Sequence, residues 1–165
     1  MNKKVLSVLV DNTSGVLNRV AGLFSRRGYN IDSLTVGVTQ DPRYSRMTIV
    51  VTGDDDIIEQ IIKQIEKLVD VNKVEVLEDN NSVCRELILT KVKTTPEQRQ
   101  QVMAVADIFR AKIVDVGIDS LIIELTGNQN KLDAFLNLLA DYEILELVRT
   151  GITGLARGSA DLNKM

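Results

Sequence analysis

The sequence predicts an α+β protein made of two similar modules, each an antiparallel sheet with helices on one face. Three observations lead to this prediction. Apolar residues alternate along some segments, as in strands, and recur at helical spacing along others. The order of these segments is βαββαβ. The same order occurs twice, and the polar stretch EDNNS at residues 78–82 separates the two occurrences.

The first module begins with an apolar run at residues 5–10, which predicts a strand. The cluster DNTSG at residues 11–15 then favours a turn and a helix start. Apolar residues at helical spacing define that helix: Val16, Leu17, Val20, Ala21 and Phe24. Arg26 and Arg27 suit its C-terminal end, and Gly28 suits the left-handed residue that follows.

Two strands, a helix and a final strand complete this module. Residues 34–38 alternate between apolar and small or polar side chains, and residues 46–52 form the next apolar run after an Asp-Pro turn. A second helix is predicted from residues 53–56 onward. Its apolar face is predicted to contain Ile57, Ile58, Ile61, Ile62, Ile65 and Leu68. Residues 73–77 close the module as a strand.

The second module repeats the order after the polar stretch, which we interpret as a linker. Residues 86–92 predict a strand, and Thr95-Pro96-Glu97-Gln98 predicts a capping box with proline at the first helical position. The helix then carries an apolar stripe of Val102, Val105, Ala106 and Phe109. A hairpin at residues 113–126, a helix with Leu132, Phe135, Leu136 and Leu139, and a strand at 144–148 follow.

Both modules therefore have the order of a ferredoxin-like fold, with a four-stranded antiparallel sheet. We predict one domain over residues 1–79 and a second over residues 80–158. Residues 159–165 are predicted to be a disordered tail.

Composition narrows the classes of function. The 165 residues carry a net charge of −3, which argues against a strongly basic surface for nucleic acid. There is no histidine, and the single cysteine, Cys84, can form neither an internal disulfide nor a metal-binding pair. The N-terminal apolar run is too short for a signal peptide, and no run approaches the ~18 residues of a membrane span. We expect a cytoplasmic protein.

Several ferredoxin-like functions lack their residues here. The predicted central strands, 5–10 and 46–52, contain no aromatic side chain on which RNA bases could stack. An acylphosphatase-like enzyme would place an arginine in the loop at 11–15, and there is none. Neither a dinucleotide fingerprint nor a P-loop occurs, and nothing predicts a nucleophile with its base. We predict no catalytic residue and no resident metal or cofactor.

Two acidic or reactive features fit structural roles better than functional ones. Asp54, Asp55 and Asp56 stand where a helix start favours negative charge, which explains them better than a metal site does. Cys84 fits a small, half-buried side chain better than a redox centre.

The start of the first helix is the candidate binding site. Gly15 allows another group to approach the backbone closely. The N–H groups of the first turn, around Val16 and Leu17, have no intrahelical partner, and the helix dipole favours an anion there. From these residues alone two interpretations stay open: an ordinary serine or asparagine cap, and a site for a carboxylate.

Geometry adds a second group to this candidate site. Asn30 lies beyond the far end of the helix, roughly 20 Å from Gly15, so one chain cannot bring both to one small ligand. The second strand is an edge strand in this topology. Antiparallel pairing with a two-fold mate would bring the mate's Asn30 toward Gly15. Such a dimer would offer amides to a carboxylate and an amide oxygen to an ammonium, which is an amino-acid site.

These residues also carry a resemblance to known proteins. The first module resembles the ACT domain, a small-molecule sensor that commonly binds amino acids at dimer interfaces. The whole chain resembles the small, regulatory subunits of acetolactate synthase (acetohydroxyacid synthase). The matching segments are LSVLVDNTSGVLNRVAGLFSRRGYNIDSLTVG, SRMTIVV, KLVDV, RELILTKV, KLDAFL and RTGITGLARG, in the family's order.

The resemblance implies a function. The family's subunit forms a homodimer and binds the large catalytic subunit, which carries thiamine diphosphate, Mg²⁺ and FAD and condenses two pyruvates to acetolactate. It raises the activity of that subunit and confers feedback inhibition by valine or a related branched-chain amino acid. The family's effector site corresponds here to Asn12, Gly15, Val16, Leu17, Asn30 and Ile31.

Two other classes of function fit the sequence less well. A stand-alone ACT-type sensor could regulate another partner or transcription, but the sequence lacks a basic helical module that reads DNA. An autonomous enzyme would need the nucleophile and base that are missing.

Overall fold

The computed structural model describes residues 2–159 and has the predicted α+β architecture, two antiparallel sheets with four helices. The chain divides into two compact units. Among the described residues, one unit contains residues 2–84 and 152–159, and the other is Arg85–Gly151. The sequence pattern predicted residues 80–84 and 152–158 as part of the second module. Of the tail predicted at 159–165, residues 160–165 lie outside the described part of the chain.

The first unit contains a four-stranded sheet in the order β2-β3-β1-β4, with all neighbours antiparallel. Its elements are β1 (Asn2–Asp11), α1 (Val16–Arg27), β2 (Ser33–Val38), β3 (Tyr44–Gly53), α2 (Asp55–Glu66) and β4 (Val71–Leu77). As predicted, β1 and β3 are central and β2 is an edge strand. The two central strands are longer than their apolar runs because polar end residues still pair through the backbone, from Asn2 with Gly53 to Asp11 with Tyr44.

Both helices of the first unit bury one face against β1 and β3. This core contains Leu6, Val8, Val10, Val16, Val20, Leu23, Phe24, Met47, Ile49, Val51, Ile58, Ile61 and Ile65. Two residues predicted for the apolar faces are exposed instead: Leu17 is 46% exposed and Ile57 is 39% exposed. Each directly follows or precedes a buried residue, Val16 or Ile58, and one step along a helix turns the side chain by about 100°.

The second unit repeats this arrangement with the strand order β6-β7-β5-β8. Its elements are α3 (Pro96–Ile108), β6 (Lys112–Val116), β7 (Ser120–Gly127), α4 (Gln129–Leu138), β8 (Glu143–Arg149) and most of β5 (Ser82–Lys93). The predicted capping box is confirmed: Thr95 Oγ1 accepts from the Gln98 amide at 3.2 Å, and Gln98 Oε1 accepts from the Thr95 amide at 3.1 Å. Over residues 2–159, no helix is long and apolar enough to span a membrane.

One strand was missed by the sequence analysis. β9 (Thr153–Ala156) belongs to the first unit and pairs with β5. A Cβ atom on Gly154 would come within 2.6 Å of Cys84 Sγ and 2.9 Å of the Val83 carbonyl oxygen, so only glycine fits there. The segment predicted as a linker is not an extended linker. Asp79–Asn81 forms a single 3-10 turn, and β5 begins directly after it.

Candidate effector site

The start of α1 differs from the starts of the other three helices in residues 2–159. Gly15 is its N-cap residue, no side chain caps it, and its first turn contains no acidic residue. By contrast, α2 has aspartates in its first turn, and α3 and α4 are capped by Thr95 and Asn128. The side-chain cap that the sequence left open for α1 is therefore absent. Its first-turn amides remain available to an anion.

Gly15 has a left-handed backbone conformation, with φ 86°, which glycine adopts without strain. A Cβ atom there would lie only 2.8 Å from Arg19 Nη1, so the guanidinium lies directly beside the open amides. Arg19 Nε in turn donates to the Asp70 carboxylate and forms an ion pair with it. The helix start is therefore flanked by a positive charge that is partly balanced by its own carboxylate partner.

Neither Arg19 nor Asp70 was predicted from the sequence as part of the site. Arg19 lies four residues after Gly15, and helical spacing places such pairs side by side, so it had a local signal. Asp70 had none, because 51 residues separate it from Arg19.

Asn12 anchors the loop that precedes α1. Its Nδ2 donates to the Pro42 carbonyl oxygen at 2.9 Å, and its Oδ1 accepts from Ser45 Oγ at 3.1 Å. Its backbone amide donates to the Arg43 carbonyl oxygen at 2.8 Å. The chain itself thus occupies one donor and one acceptor of the Asn12 amide, and these bonds fix the loop to the β2–β3 hairpin.

Asn30 and Ile31 lie in the loop between α1 and β2. The helix ends as predicted at Gly28, which has φ 71° and bonds back to the carbonyl oxygens of the last turn. Asn30 is exposed, and its Nδ2 donates to Asp32 Oδ1 at 3.1 Å. Ile31 is half-buried and packs against the core.

The six candidate residues form two groups. Asn12, Gly15, Val16 and Leu17 lie at the start of α1, while Asn30 and Ile31 lie just beyond its end. The twelve residues of α1 separate the groups by about 18 Å. Within one chain they do not meet, as the sequence predicted.

The edge strand β2 is exposed beside the second group. Within the described residues β2 pairs only with β3, so its other edge carries unpaired backbone groups. Val36 and Val38 on this strand are 47% and 61% exposed. An exposed apolar edge strand of this kind is suited to pairing with another strand.

No group of three or more histidine, cysteine, aspartate or glutamate side chains in residues 2–159 is placed to hold a metal ion. The candidate site consists of the open amides of α1, the Arg19 guanidinium, and the amide and carboxylate oxygens of the loop that contains Asn30 and Asp32.

Comparison with known protein families defines the class first. Residues 6–73 match the acetohydroxyacid synthase small subunit-like ACT domain, and residues 85–158 match the domain described as the small subunit of acetolactate synthase. The protein is thus a two-module protein with an ACT domain at its start.

Similar proteins identify the particular family. The chain is 52% identical to a probable acetolactate synthase small subunit of Archaeoglobus fulgidus, over 95% of this chain and 98% of that protein. It is 48% identical to the acetolactate synthase isozyme 3 small subunit of Salmonella typhimurium, over 94% of this chain and 96% of that one. The crystal structure of the small subunit from Thermotoga maritima superposes with a TM-score of 0.89 at 44% identity, over 97% and 100% of the two chains. The chain belongs to the acetolactate synthase small-subunit family.

Proposed function

We propose that this protein is the non-catalytic, regulatory subunit of acetolactate synthase. It binds the large catalytic subunit, raises its activity, and makes it sensitive to valine or a related branched-chain amino acid. The catalytic partner carries thiamine diphosphate, Mg²⁺ and FAD and condenses two pyruvates to acetolactate and CO2. Family membership supports the partner, and the uncapped start of α1 is the observation that carries the effector site.

The carboxylate of the effector binds at the start of α1. The amides near Gly15, Val16 and Leu17 have no side-chain cap and no acidic neighbour in the first turn. The helix dipole favours an anion at this position by roughly 0.3–2 kcal/mol. The Arg19 guanidinium beside Gly15 adds to that attraction. All the groups that bind the carboxylate of the amino acid therefore come from one chain.

The ammonium and side chain of the effector are bound across a dimer interface. Two copies pair through their β2 edges, which brings Asn30 of the partner subunit toward Gly15. The Asn30 amide oxygen accepts from the ammonium. The branched side chain rests on Leu17, which the fold leaves 46% exposed, and on the partner subunit's Ile31.

The full-length chain is expected to sediment as a dimer at micromolar concentration. Val36→Lys puts a charge on the apolar edge of β2 and is expected to shift the protein toward a monomer, because like charges face each other across the two-fold axis. Val69→Lys is the matched control, since Val69 is 92% exposed in a loop. A monomeric parent, with and without valine, would contradict the interface.

The chain is also expected to copurify with a thiamine-dependent catalytic subunit and to raise its rate of acetolactate formation. Titration of the chain into the purified catalytic subunit should give a saturable increase, and added valine should reverse it. The chain alone should produce no acetolactate from pyruvate. Capture of a different partner, with no effect on the catalytic subunit, would favour a stand-alone sensor instead.

A further inference from the structure

Asp32 is hydrogen-bonded to Asn30, the residue whose side-chain amide we assign to the ammonium of the effector. Its Oδ1 accepts from Asn30 Nδ2 at 3.1 Å, and its Oδ2 accepts from Thr52 Oγ1 at 2.5 Å. Its backbone amide donates to the Val50 carbonyl oxygen at 2.8 Å. Two hydrogen bonds therefore hold the Asp32 carboxylate, one from its own loop and one from β3, and the backbone bond to Val50 fixes the residue beside β3.

This arrangement fixes the direction of the Asn30 amide. A carboxylate only accepts hydrogen bonds, so the Asn30 nitrogen must face Asp32 and the oxygen must face away from it. No group in residues 2–159 donates to that oxygen, and Asn30 is exposed. The loop therefore exposes the Asn30 amide oxygen, with the negative charge of Asp32 close to the same amide. Both favour a ligand group that donates hydrogen bonds and carries a positive charge.

We propose that Asp32 is the positioning residue that makes the effector site specific for an α-ammonium group. With the carboxylate in place, the site prefers amino acids over 2-hydroxy acids and 2-oxo acids of the same carbon skeleton. A 2-oxo group places an acceptor against the Asn30 oxygen, and a hydroxyl supplies one donor and no charge. Thr52 holds Asp32 in position. This inference rests on the proposed function for the location of the site.

The test is a cycle of two ligands and two proteins. Parent and Asp32→Asn are titrated calorimetrically with L-valine and with L-2-hydroxy-3-methylbutanoate, which has a hydroxyl in place of the ammonium. Asp32→Asn keeps the size of the side chain and removes its charge. The Asp32 carboxylate attracts the ammonium through space, across the Asn30 amide, so loss of this attraction between charges near the surface should weaken valine binding by about tenfold. Binding of the hydroxy acid should change far less, so the selectivity of the site should collapse.

Two further variants separate the causes. Thr52→Val removes the hydroxyl that holds Asp32 and should lower valine selectivity in the same direction, by a smaller factor. Asp56→Asn makes the same charge change at an exposed position in the first turn of α2 and should leave both affinities unchanged.

Each outcome decides a different statement. If Asp32→Asn weakens both ligands by the same factor, or leaves valine binding unchanged, Asp32 has no role in ammonium selectivity although the site stands. If the parent binds none of valine, leucine and isoleucine, the effector site itself is wrong, and the role of Asp32 falls with it.

Discussion

Gly15→Asp is expected to weaken valine binding about a hundredfold, which corresponds to about 2.8 kcal/mol. The new carboxylate would lie beside the open amides of α1 and within reach of the Arg19 guanidinium. It would thus occupy, as a tethered anion, the place that we assign to the carboxylate of the effector. Stimulation of the catalytic subunit should persist, because the substitution alters effector binding at the helix start and leaves the core intact.

The matched control for this substitution is Gly15→Asn. Any side chain at Gly15 must adopt a left-handed conformation and displace Arg19 Nη1, which would lie 2.8 Å from its Cβ atom. Asparagine and aspartate share the same size and tolerate that conformation better than most residues. The difference between the two variants therefore isolates the added charge. Gly15→Asn should weaken binding much less than Gly15→Asp.

Two measurements check this prediction together: calorimetric titration with valine, and valine inhibition of the assembled enzyme. Asn30→Ala should also weaken binding, but by removing one polar contact and without repulsion. Should Gly15→Asp bind valine as tightly as the parent does, the effector site lies elsewhere.

The parts of the fold that the sequence predicted well are those with local signals. The capping box of Thr95 and Gln98 spans four residues, and the left-handed Gly28 follows two arginines at the end of α1. Both signals act through backbone groups within one helical turn, so no distant contact can override them easily. The edge position of β2 followed from the order of elements alone.

The parts that escaped sequence analysis depend on residues far apart in the chain. β9 is four residues long, contains a glycine, and is formed by pairing with β5. Likewise, the contact of Thr52 with Asp32 joins residues 20 positions apart, and no periodic pattern encodes it. Neighbouring isoleucines at 57 and 58 raise a different problem, since both fit a broad apolar stripe and only packing decides which one is buried.

The residues of the candidate site could be predicted from the sequence, but their capping and hydrogen bonds could not. Gly15 and Asn30 could be named from helix-end chemistry and from the family resemblance. That Gly15 carries no side-chain cap, and that Asn30 is oriented by Asp32, depends on rotamers and loop geometry. Such details follow from tertiary packing, which single-sequence patterns do not encode.

The second unit contains a charged pair whose disruption should have the largest effect on stability. Glu86 on β5 is 6% exposed and accepts from Arg149 Nε on β8 at 2.5 Å. Arg149 Nη1 also lies 3.6 Å from Asp133 Oδ1 on α4. The hydrogen bond from Arg149 to Glu86 raises the pKa of Arg149 above its ordinary value. The contribution of Arg149 to stability is therefore fully present below the ordinary pKa of arginine, and it is lost as the pH rises through the raised value.

Arg149→Met is expected to lower the free energy of unfolding of the second unit by about 3 kcal/mol, because it leaves the Glu86 carboxylate buried without its partner. The value is placed at the low end of the range for buried pairs since the Arg149 side chain is 34% exposed. Urea unfolding of the full-length chain measures the change. Lys91→Met is the control: its ion pair with Glu146 is exposed, with side chains 36% and 71% accessible, and its loss should cost less than about 1 kcal/mol.

A double substitution tests the cause of that loss. If the unpaired carboxylate is responsible, Glu86→Leu combined with Arg149→Met should be more stable than Arg149→Met alone, because no charge is then left buried. If Arg149→Met only removed packing contacts of its long side chain, the second substitution would add a further loss instead. If Arg149→Met and Lys91→Met lower the free energy of unfolding by the same amount, burial of Glu86 does not strengthen its pair with Arg149. The prediction of a large stabilising effect for this pair would then be wrong.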